Sequence, residues 1–487
     1  MYSLGIDVGS SSVKVSLLDI EAGVCLASST NPKVEMPISA PKKGFAEQDP
    51  EMWWKYICEG IKDIAGKCSM SKVASIGITY QMHGLVAVDK NIKPLRDAII
   101  WCDSRAVGLG AEALLGIGYD KCMSHLLNSP GNFTASKLAW VKRNQPEIYS
   151  KIYKFMLPGD YVAYKLSGKV ATTETGLSEQ ILWDFKESRR ADFVAEYFDI
   201  DTNLVPEIAP SIGVAAKTNA ATAALLGIPE GTPISYRAGD QPNNAFSLNV
   251  LRPGEIAATG GTSGVVYGVT DVPKADSASR VNTFLHVNNK ADAPRLGVLL
   301  CINGTGILNS WIHRNVTPNL GYAEMNDLAM TAPVGCDGLT ILPFGNGAER
   351  VLENHNIGAR ICGIDLVRHS QAHILRATQE GIAFSFRYGI DIMKNLGLKP
   401  DVIRAGKANL FLSPLFRSTL ATLCDSRIEL FDTDGALGAA RGAALGAGFY
   451  KTAEEAFASL KKVDEVAPEA SWKSPLEEAY AKWKDTI

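Results

Sequence analysis

The chain has no surplus of either charge, no long apolar run and no clustered cysteines, and each absence removes a class of function. Among 487 residues, 49 Lys and Arg face 52 Asp and Glu, a formal net charge of −3. No basic excess is therefore available to hold a nucleic-acid backbone. No apolar run approaches the ~20 residues of a membrane-spanning helix. A strand begins within three residues of Met1, which leaves no room for a signal peptide and points to the cytoplasm. The nine cysteines (25, 58, 68, 102, 122, 301, 336, 362 and 424) contain no C-x-x-C pair and no His/Cys ligand spacing. They read as reduced thiols, mostly core fillers, and not as a zinc or iron–sulfur site. A G-x-x-x-x-G-K-S/T loop and a G-x-S-x-G elbow are both missing, so neither a P-loop nor a serine hydrolase is supported. There is no low-complexity linker and no charged tail.

What is present begins at Leu4-Gly-Ile-Asp-Val-Gly-Ser-Ser-Ser-Val-Lys-Val15. Asp7 ends an apolar strand, a turn of small and hydroxyl residues follows, and a second strand restarts at Val13 with period-two alternation. Backbone N–H groups at such a tip make a small concavity suited to an anion. A plain hairpin would share the pattern. Far downstream, Ile256-Ala-Ala-Thr-Gly-Gly-Thr-Ser-Gly-Val-Val-Tyr267 repeats strand, Gly/Thr/Ser turn and strand. Two such hairpins in a chain of this length predict two similar domains, each opening with the same anion-cradling device. The boundary is expected at residues 245/246, giving domains 1–245 and 246–487.

Between the hairpins the pattern alternates strands and helices. Asp49-Pro50-Glu51 reads as a helix start, followed by Trp54, Ile57, Ile61 and Ile64 at helical spacing and by Gly66 as the stop. Val73–Thr79 and Leu85–Val88 read as strands flanking a loop at 81–84. Residues 137–166 read as helical, broken at Pro158-Gly159-Asp160. The run Gly435-Ala-Leu-Gly-Ala-Ala-Arg-Gly-Ala-Ala-Leu-Gly predicts a helix that another backbone approaches closely, more a packing device than a ligand contact.

Polar clusters fall at strand ends, where open α/β sheets place their sites. Gln81-Met82-His83-Gly84 could present an imidazole and backbone N–H groups, or His83 could simply cap its own loop. Trp101-Cys102-Asp103-Ser104-Arg105 could bind hydroxyls beside an aromatic face, or be a salt bridge next to a half-buried Trp. Gly239-Asp240-Gln241 places a carboxylate at the tip of a buried strand, as a general base or as the cap of the following helix. Val402-Ile-Arg-Ala405 runs into Gly406-Lys407-Ala408-Asn409 and a helical pattern through Leu423, a junction that could lie against a nucleotide.

In this order, these segments resemble the FGGY family of carbohydrate kinases over nearly the whole chain. The resemblance rests on Gly5-Ile6-Asp7-Val8-Gly9, Glu47-Gln48-Asp49-Pro50 with Trp53-Trp54, Gln81-Met82-His83-Gly84 and Trp101-x-Asp103-x-Arg105. It continues through Leu157-Pro158-x-Asp160-Tyr161, Gly239-Asp240, Gly261-Thr262-Ser263-Gly264 and the Gly435 helix. It implies an α/β fold of two actin-like, ribonuclease H-like domains of the actin/hexokinase/Hsp70 type, with a cleft between them. It implies ATP and Mg²⁺, a small sugar as substrate, no nucleic acid and no membrane, and it leaves room for a homodimer.

Residue by residue, the resemblance makes Asp240 the base and Asp7 the metal-side carboxylate near the transferred phosphoryl group. Gln81, Met82, His83, Asp103, Arg105 and Gln241 would hold or flank a ketose. Gly9, Ser10, Ser11, Ser12, Lys14, Gly261, Thr262, Ser263, Gly406, Lys407 and Asn409 would hold the nucleotide. The implied activity is transfer of a γ-phosphoryl group to a ketopentose of the D-xylulose kind. Three segments depart from the family's usual residues: Gln241 for Asn, Lys407 for Gly, and Val351-Leu352 for Thr-Pro. They bear on the identity of the sugar and on nucleotide preference. The competing readings are a kinase for another sugar or polyol (ribulose, fuculose, gluconate or glycerol) and a non-kinase ATPase of the actin/Hsp70 type.

Overall fold

The computed structural model describes residues 1–487. The chain divides into two compact units, each drawn from three segments. The first comprises Met1–Asn249, Phe284–Leu296 and Thr433–Leu460, and the second Val250–Thr283, Gly297–Asp432 and Lys461–Ile487.

The first unit is built on a six-stranded sheet: β1 (Tyr2–Val8), β2 (Val13–Asp19), β3 (Cys25–Asn31), β4 (Val73–Tyr80), β5 (Ile212–Lys217) and β6 (Pro233–Gly239). The strand order is β5-β6-β4-β1-β2-β3. β1 to β3 form an antiparallel meander, and β4 and β6 run parallel to β1. Helix α1 (Pro50–Ala65) starts as its sequence predicts, with the Asp49 side chain accepting from the Glu51 N–H and Pro50 in the first turn. Its buried stripe is Trp53, Ile57, Ile61 and Ile64, packed with Leu4, Ile6, Val8 and Val15 of the sheet. Trp53, and not the partly exposed Trp54, heads that stripe. Pro158 opens a helix (Pro158–Ser167) instead of breaking one, because a strand at Lys154–Met156 precedes it. Pro is compatible with the first turn, where its missing N–H has no partner to lose.

The glycine–alanine helix, Gly435–Gly446, lies late in the chain yet belongs to the first unit. It packs on β1, β4 and β6 through three serine hydroxyls. Ser3 donates to the Ala440 carbonyl and Ser235 to that of Ala443, each at 2.7 Å, while Ser75 donates to the Ser3 hydroxyl. Gly5 and Gly77 are paired in register. A Cβ on either would run into a helix carbonyl, of Ala436 or Ala439 respectively. Gly77→Ala is therefore expected to cost about 1–3 kcal/mol through overpacking against an immovable backbone. The check is a lowered urea midpoint at unchanged m-value.

The second unit repeats the plan. Its sheet contains β7 (Glu255–Gly260), β8 (Gly264–Thr270), β9 (Asn282–Leu285), β10 (Leu296–Ile302), β11 (Val402–Gly406), β12 (Arg427–Phe431) and β13 (Lys462–Val466). The order is β9-β10-β8-β7-β11-β12-β13. β7 and β8 form the hairpin, and β11 and β12 extend the sheet in parallel. Helix α3 (Gly306–Asn315) adjoins the site, and the long α4 (Gln371–Asn395) sends Leu375, Phe384, Phe386 and Ile390 into the core with Phe344 and Trp483. After β11 the chain makes a 3₁₀ turn at Asn409–Leu412 before the helix Pro414–Cys424 starts, so the continuous helical pattern expected from Asn409 is split in two.

No cysteine is disulfide-bonded, but only Cys122, Cys336 and Cys424 are buried. Most of the nine are therefore not core fillers. No helix is long and apolar enough to cross a membrane.

Candidate active site

The first hairpin closes tightly. Asp7 pairs with Lys14 and Val8 with Val13, and the Gly9 N–H donates to the Ser12 carbonyl at 3.0 Å. The tip carbonyls are engaged from outside: Ser10 accepts from Gln48 Nε2 at 2.7 Å and Ser11 from the Met36 N–H at 2.8 Å. Beside this tip is a cavity of about 360 Å³. The hairpin residues Gly9, Ser10, Ser11 and Ser12 line it together with Asp7, Lys14, Gln81, Trp101 and Asp240. Nine of the residues singled out in the sequence thus line one cavity.

Two carboxylates dominate it. Burial, then the nearby Asp240 and Asp434, push the Asp7 carboxyl up to about 7, against the opposing pull of Lys14. Lys14 is itself paired with Asp434 at 2.7 Å. A Cβ on Gly435 would strike the Asp7 carboxylate, so the glycine clears space for that side chain. Asp240 is the first residue of helix α2 (Asp240–Ser247), directly after β6. Gly239 takes the N-cap position, so Asp240 is not the cap. Burial raises the Asp240 carboxyl to about 6, partly offset by hydrogen bonds from the backbone N–H and side chain of Gln241. Gly239 also admits Met82, whose Cγ would lie 2.5 Å from a Cβ there.

The loop after β4 is held from three sides. The Gln81 N–H donates to the Val8 carbonyl at 2.8 Å, which ties the loop to the end of β1. His83 is left-handed, φ 61°. Its N–H donates to Glu179 Oε2 at 3.0 Å, its Nδ1 lies 2.9 Å from the Glu179 carbonyl, and its own carbonyl accepts from Lys137 Nζ at 2.8 Å. The ring is edge-on to Phe133, at 4.8 Å, and tilted toward Phe284 at 5.3 Å. Glu179, Lys137 and Gln48 were not picked out as functional in the sequence. Burial raises the Glu179 carboxyl to about 8 and lowers the Lys137 ammonium to about 7. A lone Lys or Glu in a helical segment carries no local sign of full burial, so nothing in the sequence could have found them. Gln48 sits within Glu-Gln-Asp-Pro, the one local signal that points to it.

Asp103 and Arg105 do not line the cavity. Asp103 is fully buried and accepts from the Ala46 N–H at 2.6 Å, from the Arg105 N–H at 2.9 Å and from the Arg105 guanidinium at 2.6 Å. Arg105 also reaches Glu47 at 2.6 Å and lies flat on Phe45, 3.7 Å from the ring centroid. The pair is a buried lock beneath the chain that carries Trp101.

In the second unit the hairpin turn is braced by the start of α3. The Gly261 carbonyl accepts from the Gly306 N–H at 3.1 Å, and that of Thr262 from the Ile307 N–H at 3.0 Å. A cavity of about 600 Å³ adjoins it, lined by Gly261, Thr262 and Asn409 together with Asn309, Arg314 and Tyr322. Ser263, Gly406 and Lys407 do not line it. Lys407 is exposed, and a Cβ on Gly406 would meet nothing within 4 Å. Buried Glu349 accepts from the N–H groups of Asn303 and Gly304 at 2.9 and 2.7 Å, holding the loop that enters α3. At the register position of Asp7, the second hairpin has Thr259. The repeated device therefore carries a carboxylate in one unit only.

Comparison with known proteins matches residues 2–247 to the N-terminal domain, and residues 256–449 to the C-terminal domain, of the FGGY family of carbohydrate kinases. The chain is 30% identical to the xylulose kinase of Haemophilus influenzae, over 99% of this chain and 98% of that protein. It is 28% identical to the xylulose kinase of Bacillus subtilis, over 93% and 90%. Among solved structures, the fold matches a ligand-bound xylulose kinase from Lactobacillus acidophilus with a TM-score of 0.90 at 23% identity, covering 100% of this chain and 97% of the other. It matches Plasmodium falciparum glycerol kinase with ADP with a TM-score of 0.89 at 21% identity and the same coverage.

Proposed function

This chain belongs to the FGGY family of carbohydrate kinases, and on that premise we propose that it transfers the γ-phosphoryl group of ATP to a hydroxyl of a ketopentose, D-xylulose above others. The observation that carries the reading is Asp240, a half-buried carboxylate at a strand-to-helix junction, in one cavity with Asp7 and the Ser-rich hairpin. The choice of D-xylulose is supported by relatives of that name which align over most of their length.

In this reading the first unit holds the sugar, through Gln81, Met82 and His83, and Gln241 steadies the base. Asp240 accepts the proton of the attacking hydroxyl at a carboxylate oxygen. Its raised pKa makes it a stronger base than an exposed Asp while leaving it mostly ionised at neutral pH. The second unit holds ATP at the Gly261–Thr262 turn, with Asn409 on the same cavity wall, and Lys407 stands apart from it. Phosphoryl transfer asks mainly for positioning and charge stabilisation, which backbone amides and a few charged groups supply.

Mg²⁺ fits the first cavity. Asp7 crowded by Asp240 and Asp434 is a negative excess that a divalent cation relieves, and Mg²⁺ is ordinarily held by one or two carboxylates plus phosphate oxygens. Bound at Asp7, it would neutralise charge on the transferred phosphoryl group.

A coupled ADP-release screen over pentuloses, hexuloses and polyols tests the reading. D-Xylulose is expected to give the highest kcat/KM, and ADP release that no sugar stimulates would overturn it. The acid limb of the profile is a second check. Protonated Asp240 cannot accept a proton, so kcat/KM for the sugar is expected to fall about tenfold per pH unit below about 6. A flat profile between pH 4.5 and 7 would remove Asp240 from the role.

A further inference from the structure

Helix α3 reads Gly306-Ile-Leu-Asn-Ser-Trp-Ile-His-Arg-Asn315, and it presents two different faces. At about 3.6 residues per turn, Gly306, Asn309 and Ser310 fall together, and Leu308, Trp311 and Ile312 fall together on another side. The first face lines the cavity of about 600 Å³ beside the Gly261–Thr262 turn. The second lines a separate cavity of about 370 Å³, to which Ile341, Pro343 and Ile361 also contribute. Ile307 and Arg314 stand on the ridge between the faces and line both cavities. All of the smaller cavity belongs to the second unit. Its volume lies within the ~300–1,000 Å³ usual for small-ligand sites.

The chemistry of this smaller cavity is one-sided. Leu308, Ile312 and Ile341 are buried, whereas Trp311 and Ile361 are each 49% exposed, so an aliphatic interior meets an apolar rim. No Asp or Glu lines it, and its only charged residues are Arg314 and Arg360, both exposed. Arg314 donates from Nη1 to the Ser310 hydroxyl at 2.7 Å, and Arg360 from Nε to the Ile357 carbonyl at 3.1 Å. Both acceptors are neutral, so neither cation is balanced there by a carboxylate. Apolar walls with two unbalanced guanidiniums match a ligand that has an apolar body and an anionic head. The body gains from burial, and a guanidinium takes a carboxylate through paired N–H bonds. A sugar would instead bring hydroxyls to walls that offer them few partners.

We propose that this cavity is a regulatory site for a small amphipathic anion, an aryl or medium-chain carboxylate, which opposes ATP through Arg314. One guanidinium borders both cavities, and an anion that draws it into the smaller one withdraws it from the larger. Helix α3 also braces the Gly261–Thr262 turn through the Gly306 and Ile307 N–H groups. A ligand seated against Leu308 and Trp311 therefore bears on the helix that holds the turn. Linkage makes the opposition reciprocal, so ATP should weaken the anion by the same factor. The coupling rests on the reading above that ATP occupies the larger cavity. The anion site itself does not.

Calorimetric titration of the whole protein, without sugar or nucleotide, tests the site with 2-naphthoate and octanoate, which separate an aryl from an alkyl source. At least one is expected to bind saturably below millimolar concentration. The uncharged 2-naphthalenemethanol should bind about tenfold more weakly or worse, the scale of one charge-assisted hydrogen bond. Arg360→Gln and Ile361→Glu, both at exposed positions, should each weaken the carboxylate by a similar factor and leave kcat and KM for ATP as they are. The coupling is read from KM for ATP, which should rise about fivefold or more with added carboxylate and then level off. In Arg314→Gln the carboxylate should no longer move it. No binding of either carboxylate, equal binding of the alcohol, or indifference to both Arg360→Gln and Ile361→Glu would overturn the site. A KM for ATP that stays constant, or that climbs without a plateau as for an anion entering the ATP cavity, would overturn the regulatory role. Absence of sugar-stimulated ADP release would instead count against the kinase reading and leave calorimetry to decide the site, so the two failures are distinguishable.

Discussion

Asp240→Asn is expected to lower sugar phosphorylation by about a hundred- to ten-thousand-fold, the usual contribution of a positioned general base. The substitution keeps shape and hydrogen-bonding reach but cannot take a proton. It lies in the first unit, whereas the cavity proposed for ATP is built from second-unit residues, so KM for ATP should be unchanged. Stability gives an independent readout with a defined sign. The folded-state pKa of Asp240, about 6, lies above its ordinary value of 3.8. Folding therefore favours the protonated form, and the stability associated with this carboxyl is complete below 3.8 and is lost as pH rises through about 6. Asparagine does not ionise. The variant should have a higher Tm than the wild type at pH 8, with the difference vanishing toward pH 4. A variant as active as the wild type, or one less stable at pH 8, would remove Asp240 as a desolvated catalytic carboxylate.

Asp103→Ala carries the second large effect, and it concerns folding. The substitution leaves Arg105 buried at 1% side-chain exposure, with Glu47 as its remaining carboxylate. It also strips the Ala46 and Arg105 N–H groups of their acceptor. Removing one member of a buried pair typically costs about 3–5 kcal/mol, mostly from the charge left behind. Asp103→Ala with Arg105→Ala should accordingly be less damaging than the sum of the two single changes, a coupling that a double-mutant cycle in urea would measure. Additive losses would mean that the pair is not the lock its geometry describes. A large rise in KM for the sugar at unchanged stability would restore these residues to the binding site.

The two hairpins, α1 with its Asp49 cap, and the strand ahead of Asp240 were legible because each is specified by neighbours in sequence. Period-two alternation, a capping side chain and a proline in the first turn all act over a few residues. The cavity residues at 7–14, 81 and 240 could be gathered for a related reason: each stands at the end of a parallel or hairpin strand, and one sheet brings those ends to one edge. Asp103 and Arg105 show where such reading stops. Acid, arginine and tryptophan at that spacing suit either a sugar subsite or an internal ion pair, and only burial separates the two.

By itself, then, the sequence determined the repeated strand–turn–strand device and the α/β class, since local periodicity suffices for these, while the pairing of Asp7 with Asp240 came from the resemblance to the FGGY family. Tertiary structure alone decided that the helix at Gly435–Gly446 packs on the first sheet, through Gly5 and Gly77, because that close approach joins segments more than 350 residues apart. It alone buried Lys137 and Glu179 around His83, whose charges desolvation moves toward neutrality. It also joined Gln81 to Gln48 and, through it, to Trp53, partners that come from another part of the chain.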